Sequence, residues 1–545
     1  MKKYFSKTMV LCTALLAAAF VGCKENNTPT DPTHNPHEDG GLVADDNLLY
    51  DNNTIGNGDD EFVFTGKQTL RRGTYLLKGW VYVADGAELT IEPGTVIKGD
   101  KETKAALIVE RGGKLFAQGT PDAPIVFTSE MPKGQRRPGD WGGLILCGRA
   151  NNNQTEQQIE GGPRSKHGGN DNEDNSGILS YVRVEFAGYP FQTDKEINGI
   201  TFGSVGSKTQ IDHLQVSYSN DDSYEWFGGT VNCKYLVAFR GWDDDFDTDN
   251  GFSGSVQFGL AIRDSRIADV SQSNGFESDN CADGAAVSPY TSCVFSNITF
   301  VGPKLDPQFQ NNADYITGGD MFPNNGSSLG RFQAGMQIRR NSHLNCFNSL
   351  IIGWPIGVMI DNEKGNCWKA ADDHLINLQN VWMADYDIIG SDMNKQYKDS
   401  LALDYKAKTF DPSAAHSFST TWFLAQPGNS ATTLAALAME SNAYIPTATS
   451  PVLTAANFTP STASTTQAAA NTRVEGTTQA ARTTSASSAE FPDHIRTALA
   501  SMEQVPFIGA FPAAAASDAT NATATSSGAS WLSGWTNFDP QNTDY

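Results

Sequence analysis

The chain has 545 residues, with 39 Lys and Arg against 62 Asp and Glu, which gives a formal net charge of −23. A surface this acidic repels the phosphates of nucleic acid and the headgroups of anionic lipid, so neither is an expected ligand. Cations and neutral or basic ligands are favoured instead.

A secretion signal is indicated at the start of the chain. Three lysines within the first seven residues precede an apolar run from Met9 to Val21, and Gly22 stands directly before Cys23. This order is typical of a signal peptide, and the apolar run is shorter than the roughly 20 residues that a membrane-spanning helix needs. Residues 20–23 resemble a bacterial lipobox, in which the cysteine is acylated and becomes the new N-terminus. We therefore expect a signal peptide at residues 1–22 and a lipid anchor on Cys23; an ordinary signal peptide with an incidental cysteine is the alternative.

Residues 23–47 are predicted to be a flexible tether. Asn, Asp, Thr, Pro, Gly and His dominate this stretch, and so little of it is apolar that it cannot bury a core. The signal carries three lysines and no acid, so the mature chain has 36 Lys and Arg against 62 Asp and Glu, a net charge of −26.

Residues 48–400 show the pattern of stacked short strands. Runs of three to five β-forming residues, such as Trp80–Val83 and Leu89–Ile91, alternate with turns rich in Gly, Asn and Asp, without a helical period. This pattern suits the coils of a solenoid better than hairpins. Further buried strands are predicted at residues 178–186, 197–202, 211–218, 234–240, 260–267, 294–301, 347–352 and 378–382.

An internal repeat supports the solenoid. Residues 213–225 match residues 235–247 in character at an offset of 22, which is the length of one coil of a parallel β-helix. Residues 273–277 continue the pattern 30 residues further on, the excess being a looped-out insertion. Each coil would bury its inward side chains against the coils above and below it.

The sequence of these coils resembles that of a known protein family. Leu89–Gly99 and Pro124–Ser129 are similar to lipoproteins of the Bacteroidetes described as right-handed parallel β-helix repeat proteins. The resemblance runs from Phe62 to about Trp382 and includes Gly534–Pro540. It implies an all-β, right-handed parallel β-helix with a pectate-lyase-like superhelix, held at the outer membrane, and it implies no established activity.

Residues 401–545 form a C-terminal region of different composition. Ala, Thr and Ser dominate residues 447–489 and 513–530, which are therefore expected to be exposed low-complexity segments. Between them we predict a helix at 491–502 and a short strand at 507–511. The region is expected to pack on the end of the solenoid, anchored by the aromatic residues Trp531, Trp535 and Phe538, because an open sheet edge invites association.

Acidic corners of successive coils predict a divalent-cation site. The repeat superimposes three pairs of acids one coil apart, and adjacent strands lie only about 4.8 Å from each other. Carboxylates this close repel unless a cation neutralises them, and calcium accepts six to eight oxygen ligands with flexible geometry. The alternative is that these corners are ordinary hydrated turns. The predicted metal ligands are Asp221, Asp222, Glu225, Asp243, Asp244 and Asp247.

The same corners raise two further hypotheses. Asp222 and Asp244 are candidate catalytic acids, with Arg240 as a candidate base, for a lyase or hydrolase of acidic polysaccharide; the Gly-His-Gly and Arg-Ile-Lys motifs of polygalacturonases are absent. Nearby aromatic rings could instead grip sugars, or stack inside the solenoid; they are Tyr224, Trp226 and Trp242. We favour a non-catalytic module that binds a glycan, a protein or a cation at the cell surface, with an outer-membrane transporter as a candidate partner. A polysaccharide lyase or hydrolase and a purely structural envelope component are the alternatives.

Overall fold

The structure is a computed structural model, and it describes residues 53–59, 61–161, 163–192, 195–309, 331–393, 402–404, 409–410, 416–461, 491–513 and 530–545. The predicted signal peptide, Cys23 and the tether lie outside the described residues, as do most of the predicted low-complexity segments. Within the described part of the chain, no helix is both long and apolar enough to span a membrane.

Short strands account for most of the regular structure. In chain order they are β1 (Thr54–Ile55), β2 (Phe62–Phe64), β3 (Lys67–Leu70), β4 (Thr74–Leu77), β5 (Trp80–Val83), β6 (Glu88–Ile91), β7 (Val96–Gly99), β8 (Ala106–Val109), β9 (Lys114–Gln118), β10 (Ile125–Ser129), β11 (Gly143–Cys147), β12 (Gln157–Gln158), β13 (Lys166–His167), β14 (Gly177–Glu185), β15 (Pro190–Gln192), β16 (Lys195–Glu196), β17 (Ile200–Gly203), β18 (Gln210–Ser217), β19 (Tyr224–Phe227), β20 (Asn232–Phe239), β21 (Phe246–Asp249), β22 (Ser255–Ile262), β23 (Phe276–Ser278), β24 (Val294–Val301), β25 (Ala334–Ile338), β26 (Asn345–Phe347), β27 (Leu350–Ile352), β28 (Ile356–Ile360), β29 (Asn377–Gln379), β30 (Trp382–Ala384), β31 (Ile388–Ser391), β32 (Ala402–Asp404), β33 (Thr409–Phe410) and β34 (Ser430–Thr432). The helices are α1 (Cys367–Asp372), α2 (Phe418–Ala425), α3 (Leu434–Leu437) and α4 (Asp493–Ser501), with single 3-10 turns at Pro303–Leu305, Pro451–Thr454 and Pro540–Asn542.

Two long parallel sheets build the solenoid. In the described residues the second sheet contains 11 strands in the order β2-β5-β8-β11-β17-β19-β21-β23-β25-β28-β31, and neighbouring strands pair in parallel, as β19 does with β21. The first sheet contains 17 strands there, the longest being β14, β18, β20, β22 and β24. The chain passes between the two sheets from coil to coil, so the fold is the right-handed parallel β-helix that the sequence predicts.

The long strands of the first sheet each bend at one residue. Tyr181, His213, Tyr235 and Phe258 have φ values of 53°, 51°, 58° and 64°, in the left-handed region. This conformation costs an L-residue about 1–2 kcal/mol. The rings at the bends stack in a column, with centroids 4.2 Å apart for Tyr181 and His213 and 4.4 Å apart for His213 and Tyr235. This column offsets part of the cost and lets one strand turn a corner of the solenoid.

The predicted register is confirmed. Tyr224 pairs with Phe246, and Asp244 bonds to Asp222 at the expected separation of 22 residues. Phe246 pairs with Phe276, the offset of 30 residues that the insertion requires. Strand boundaries differ locally: the strand predicted at 260–267 is β22, which begins at residue 255, and the one predicted at 347–352 is divided into β26 and β27.

Aromatic side chains fill the middle of the solenoid. Trp226 stacks against Phe202 and Phe252 with ring centroids 5.4 Å away in each case, and Phe276 lies 4.5 Å from Phe295. All of these rings are fully buried. Burying such a side chain contributes roughly 1.5–3 kcal/mol, so this stack is a main source of stability in the central coils.

The C-terminal region contacts the solenoid both at its end and along its flank. Helix α2 packs on β31 and β28 and thus covers the last coil, as expected. Trp535 is fully buried against the first sheet, near Val237 and Leu260. Trp531 and Phe538 join it there, so the predicted anchors lie along the flank of the central coils rather than at the end. The helix predicted at 491–502 is α4. The strand predicted at 507–511 is wrong, because the chain bends at Gly509, which has a φ of 86° and donates its N–H to the Asn348 carbonyl.

Candidate functional site

A row of acidic side chains crosses the outer face of the second sheet. Glu225 pairs with Asp247, and Asp247 pairs with Glu277, on three successive strands. Because side chains alternate across a strand and the flanking residues Tyr224 and Phe246 lie in the core, these carboxylates point outward. The parallel register therefore stacks three carboxylates directly above one another.

A second acidic row precedes these strands at the corners of the same coils. The backbone N–H of Asp244 donates to Asp222 Oδ1 at 2.8 Å, and the N–H of Asn274 donates to Asp244 Oδ1. Asp221 and Asp243 stand beside them. The hydroxyl of Ser271 donates to Asp243 Oδ2 at 2.6 Å.

The two rows meet in three groups that could hold a metal ion. They are Asp221, Asp222 and Asp243; Asp222, Glu225 and Asp247; and Asp244, Asp247 and Glu277. Within each group one carboxylate oxygen per residue lies within 4.8 Å of the others. Calcium–oxygen distances are about 2.3–2.6 Å, so ligands of one ion stand up to about 5 Å apart. Each of the six predicted ligands thus belongs to at least one of these groups.

Burial and mutual repulsion raise the pKa values of these acids. Burial is the largest cause for Asp222, Glu225 and Asp247, and the charges of neighbouring carboxylates add to it. Burial also raises the pKa of Asp249 to about 6, and burial followed by the charge of Asp249 raises the pKa of Asp279 to about 8. A cation placed among these groups would favour their ionised forms, so cation binding and proton release are coupled.

Several oxygens at the site have no hydrogen-bond partner among the described residues. They include Asp243 Oδ1, Asp247 Oδ1 and Asn198 Oδ1, all of which are inaccessible to solvent. Asn198 donates through its amide nitrogen to Glu225, so its oxygen belongs to the same neighbourhood. Because buried acceptors are normally satisfied, oxygens of this kind suit cation ligands.

Arginines neutralise only part of the cluster. Arg339 pairs with Glu277 and lies 2.8 Å from Asp279, and Arg340 lies 2.6 Å from Asp279. Arg263 pairs with Asp245 at 3.0 Å, and both side chains are completely buried. Asp221 and Asp222 form no described salt bridge to any of these arginines, so this end of the cluster has the greatest need of a cation.

Two of the three aromatic rings predicted to bind sugars lie inside the solenoid and not on its surface. Tyr224 and Trp226 are fully buried in the core stack, and the Tyr224 hydroxyl donates to the carbonyls of Leu214 and Val237. The prediction that they face a glycan is therefore wrong, since the alternation that points Glu225 outward points its neighbours inward. Trp242 is only half-buried at the acidic corner, so its role in binding remains a prediction.

Arg240 does not join Asp222 and Asp244. It donates to the Tyr218 hydroxyl at 2.9 Å and lies 3.6 Å from Asp264, beyond the end of β20 on the first sheet. The prediction that Arg240 is a catalytic base beside these two acids is therefore wrong. A catalytic role for Asp222 or Asp244 stays a prediction without that partner.

Three residues of the site were not identified from sequence: Asn198, Glu277 and Asp279. Glu277 could have been found, because the repeat at residues 273–277 already aligned it with Asp247. Arg339 follows β25, whose Ala334 bonds to Asn274 across 60 residues, and no repeat length predicts that separation. The cysteines add nothing to the site: all six in the described residues are buried and unpaired.

A comparison with protein families agrees with the fold. Residues 63–425 match the family model described as a pectate-lyase like beta helix domain. No curated protein matches the chain. The crystal structure of the Dettilon tailspike protein is similar, with 12% sequence identity and a TM-score of 0.23, over 59% of this chain and 60% of the tailspike chain. This chain thus spans about 60% of the length of the tailspike.

Proposed function

The chain belongs to the family of pectate-lyase-like β-helix domains, and we propose from this premise that its acidic face binds calcium and, through calcium, an acidic glycan. One observation carries the proposal: the acidic face contains three groups of three acids. Within each group, one carboxylate oxygen per residue lies within 4.8 Å of the others. The acceptors without partners, Asp243 Oδ1 and Asp247 Oδ1, support it independently.

Calcium would serve as the bridge to the glycan. A protein of net charge −23 repels a polyanionic sugar chain. A cation held at the carboxylates reverses the local charge and retains coordination positions for sugar carboxylates. The pectate in the family description is a glycan of this kind. The half-buried Trp242 next to Asp243 supplies a ring for stacking on a sugar.

Binding to polygalacturonate, measured by calorimetry in calcium and in chelator, tests the proposal. We expect binding in calcium only, and its loss in Asp244→Asn. Asp122→Asn removes the same charge from an exposed turn and should leave binding unchanged. Equal binding in calcium and chelator, or equal loss in both variants, would contradict the bridge.

A lyase is the second candidate function. Burial lowers the pKa of Arg339, and the positive charge of Arg340 lowers it further. Elimination from an acidic sugar requires a base beside the cation site, and Arg339 is the candidate for that role. Release of unsaturated product, followed by ultraviolet absorbance, distinguishes the two functions. Product formation that is lost in Arg339→Lys would establish the enzyme, and binding without product would leave the binding module.

We also propose that lipid on Cys23 anchors the protein to the outer membrane, exposed at the cell surface. The support is the sequence at residues 20–23 and the polar stretch that follows it. A tether of this composition would let the acidic face reach ligands away from the membrane.

A further inference from the structure

A basic pocket lies at one corner of the early coils. Its volume is about 500 Å³, and Arg111, Arg149, Arg164 and Lys166 line it together with Asp85 and Glu110. Four cations and two anions line the pocket, and two further carboxylates, Glu61 and Glu156, pair with Arg164 and Arg111 from outside the lining. The pocket shares no residue with the acidic face.

The fold gathers these charges from distant positions. Strands β5, β8 and β11 pair in parallel, and Asp85, Arg111 and Arg149 follow them at the same corner. The hairpin β12–β13 carries Arg164 and Lys166 back over this corner. Gly112, with φ of 86°, lets the Asp85 and Arg149 side chains approach its backbone closely, because a Cβ there would collide with both.

Hydrogen-bond donors remain in excess in this pocket. Among the described residues Arg149 donates only through Nη2, to Asp85 Oδ1 at 2.7 Å and to the Arg111 carbonyl at 3.3 Å. Arg111 donates only through Nη1, to Glu156 and the Gly168 carbonyl. Each guanidinium has five N–H donors, so several donors on both arginines have no acceptor among the residues that the structure describes.

Two of the ion pairs at the pocket are easily exchanged. The Arg149 and Asp85 side chains are 46% and 69% exposed, and Lys166 approaches Glu156 only to 4.0 Å. Exposed pairs of this kind contribute little to stability. A ligand oxyanion that competes with Asp85 for Arg149 therefore meets a small penalty, and a planar carboxylate matches the guanidinium fork.

We propose that this pocket binds a small acidic saccharide through its carboxylate or sulfate group. The volume is within the range of small-molecule sites, about 300–1,000 Å³, and suits one or two sugar rings. Long polyanions are disfavoured because the chain as a whole has a net charge of −23, whereas a single anionic group can enter and use the arginine donors that remain. The proposal is independent of calcium.

Calorimetric titration of the full chain in chelator, at low salt, tests the pocket without the cation cluster. The probes are galacturonate, a sulfated N-acetylglucosamine, neutral galactose and inorganic sulfate. We expect the two acidic sugars to bind and galactose not to bind. Binding of inorganic sulfate as tightly as the sugars would overturn the saccharide assignment.

Two variants locate the binding. Arg149→Gln should weaken the acidic sugars about tenfold or more, since hydrogen bonds to charged groups contribute about 1.5–3 kcal/mol. Asp85→Asn should tighten them several-fold, because it removes the competing carboxylate. Arg496→Gln is the matched control: its side chain is 45% exposed and pairs with a single described carboxylate, Asp493. Absence of binding in both the natural protein and Asp85→Asn, or unchanged affinity in Arg149→Gln with an unchanged unfolding midpoint, would overturn the proposal.

Discussion

The carboxylate of Asp222 accepts a hydrogen bond of 2.8 Å from the backbone N–H of Asp244, one coil further along the solenoid. Asp222 therefore has two tasks: it satisfies a buried donor, and it contributes an oxygen to two of the candidate metal groups. The two tasks can be separated, because the first needs an oxygen acceptor and the second needs a charge.

Asp222→Ala and Asp222→Asn should accordingly differ in the absence of calcium. The alanine leaves the Asp244 N–H without its acceptor, which costs about 1–3 kcal/mol of unfolding free energy. The asparagine keeps an acceptor oxygen and removes one charge from a repelling cluster, so stability in chelator should equal or exceed that of the natural protein. Denaturant unfolding in chelator measures both. Equal destabilisation by the two substitutions would show that the charge itself stabilises the fold.

The two tryptophans near the acidic face should separate stability from binding. Trp226→Ala opens a cavity in the aromatic stack and should cost about 3–5 kcal/mol. Trp242→Ala should cost much less and should weaken glycan binding in calcium. Unfolding and glycan titrations on both variants check this. A Trp242→Ala protein that binds the glycan with unchanged affinity would remove that ring from the proposed site.

Acid should destabilise the protein through His343. Burial, together with the smaller effect of the charge of His494, lowers its pKa from 6.5 to about 4, and its ring stacks on Tyr290 with the centroids 4.3 Å apart. The folded pKa is below the unfolded one, so this contribution to stability is complete above pH 6.5 and is lost as the pH falls toward 4.

The variant His343→Phe keeps a stacking ring and cannot titrate. Its unfolding free energy should therefore rise relative to the natural protein by about 2 kcal/mol between pH 7 and pH 5. Unfolding curves of the two proteins at several pH values give this difference, in which the titrating groups that do not interact with His343 cancel. A difference that does not change with pH would refute the assignment.

Lipid anchoring is tested by fractionation of cells. Cys23→Ala should move the protein from the membrane fraction to the soluble one, because the acyl chains provide the attachment. Mass spectrometry of the N-terminal peptide should find acyl chains on Cys23 in the natural protein only. Unchanged partitioning together with an unmodified peptide would contradict the anchor.

The coil register was predictable because side chains on successive coils repeat at a fixed interval. The 22-residue offset that aligns Tyr224 with Phe246 also brought the six predicted acids together. The alternation of side chains along a strand could also have predicted which rings are buried. If Glu225 points outward, the next residue, Trp226, must point inward. Position near acids in the sequence was the misleading signal.

Other features depend on separations that no local pattern contains. The Trp535 carbonyl accepts from Arg183 across 352 residues, which places the C-terminal aromatics on the flank. The basic pocket likewise needs the hairpin at Gln157–His167 to fold back over the corner that carries Arg111. The irregular insertions between coils decide both arrangements, and their paths are set by tertiary packing.

Calcium titration by calorimetry, on the natural protein and on Asp247→Asn, tests the central claim most directly, because Asp247 belongs to two of the three metal groups. We predict calcium binding with a dissociation constant of about a millimolar or tighter, as for extracellular modules. Asp247→Asn should weaken it at least tenfold, Glu277→Gln should weaken it less, and Asp122→Asn should leave it unchanged. Absence of calcium binding to the natural protein at several millimolar, or the same affinity in Asp247→Asn, would contradict the cation site.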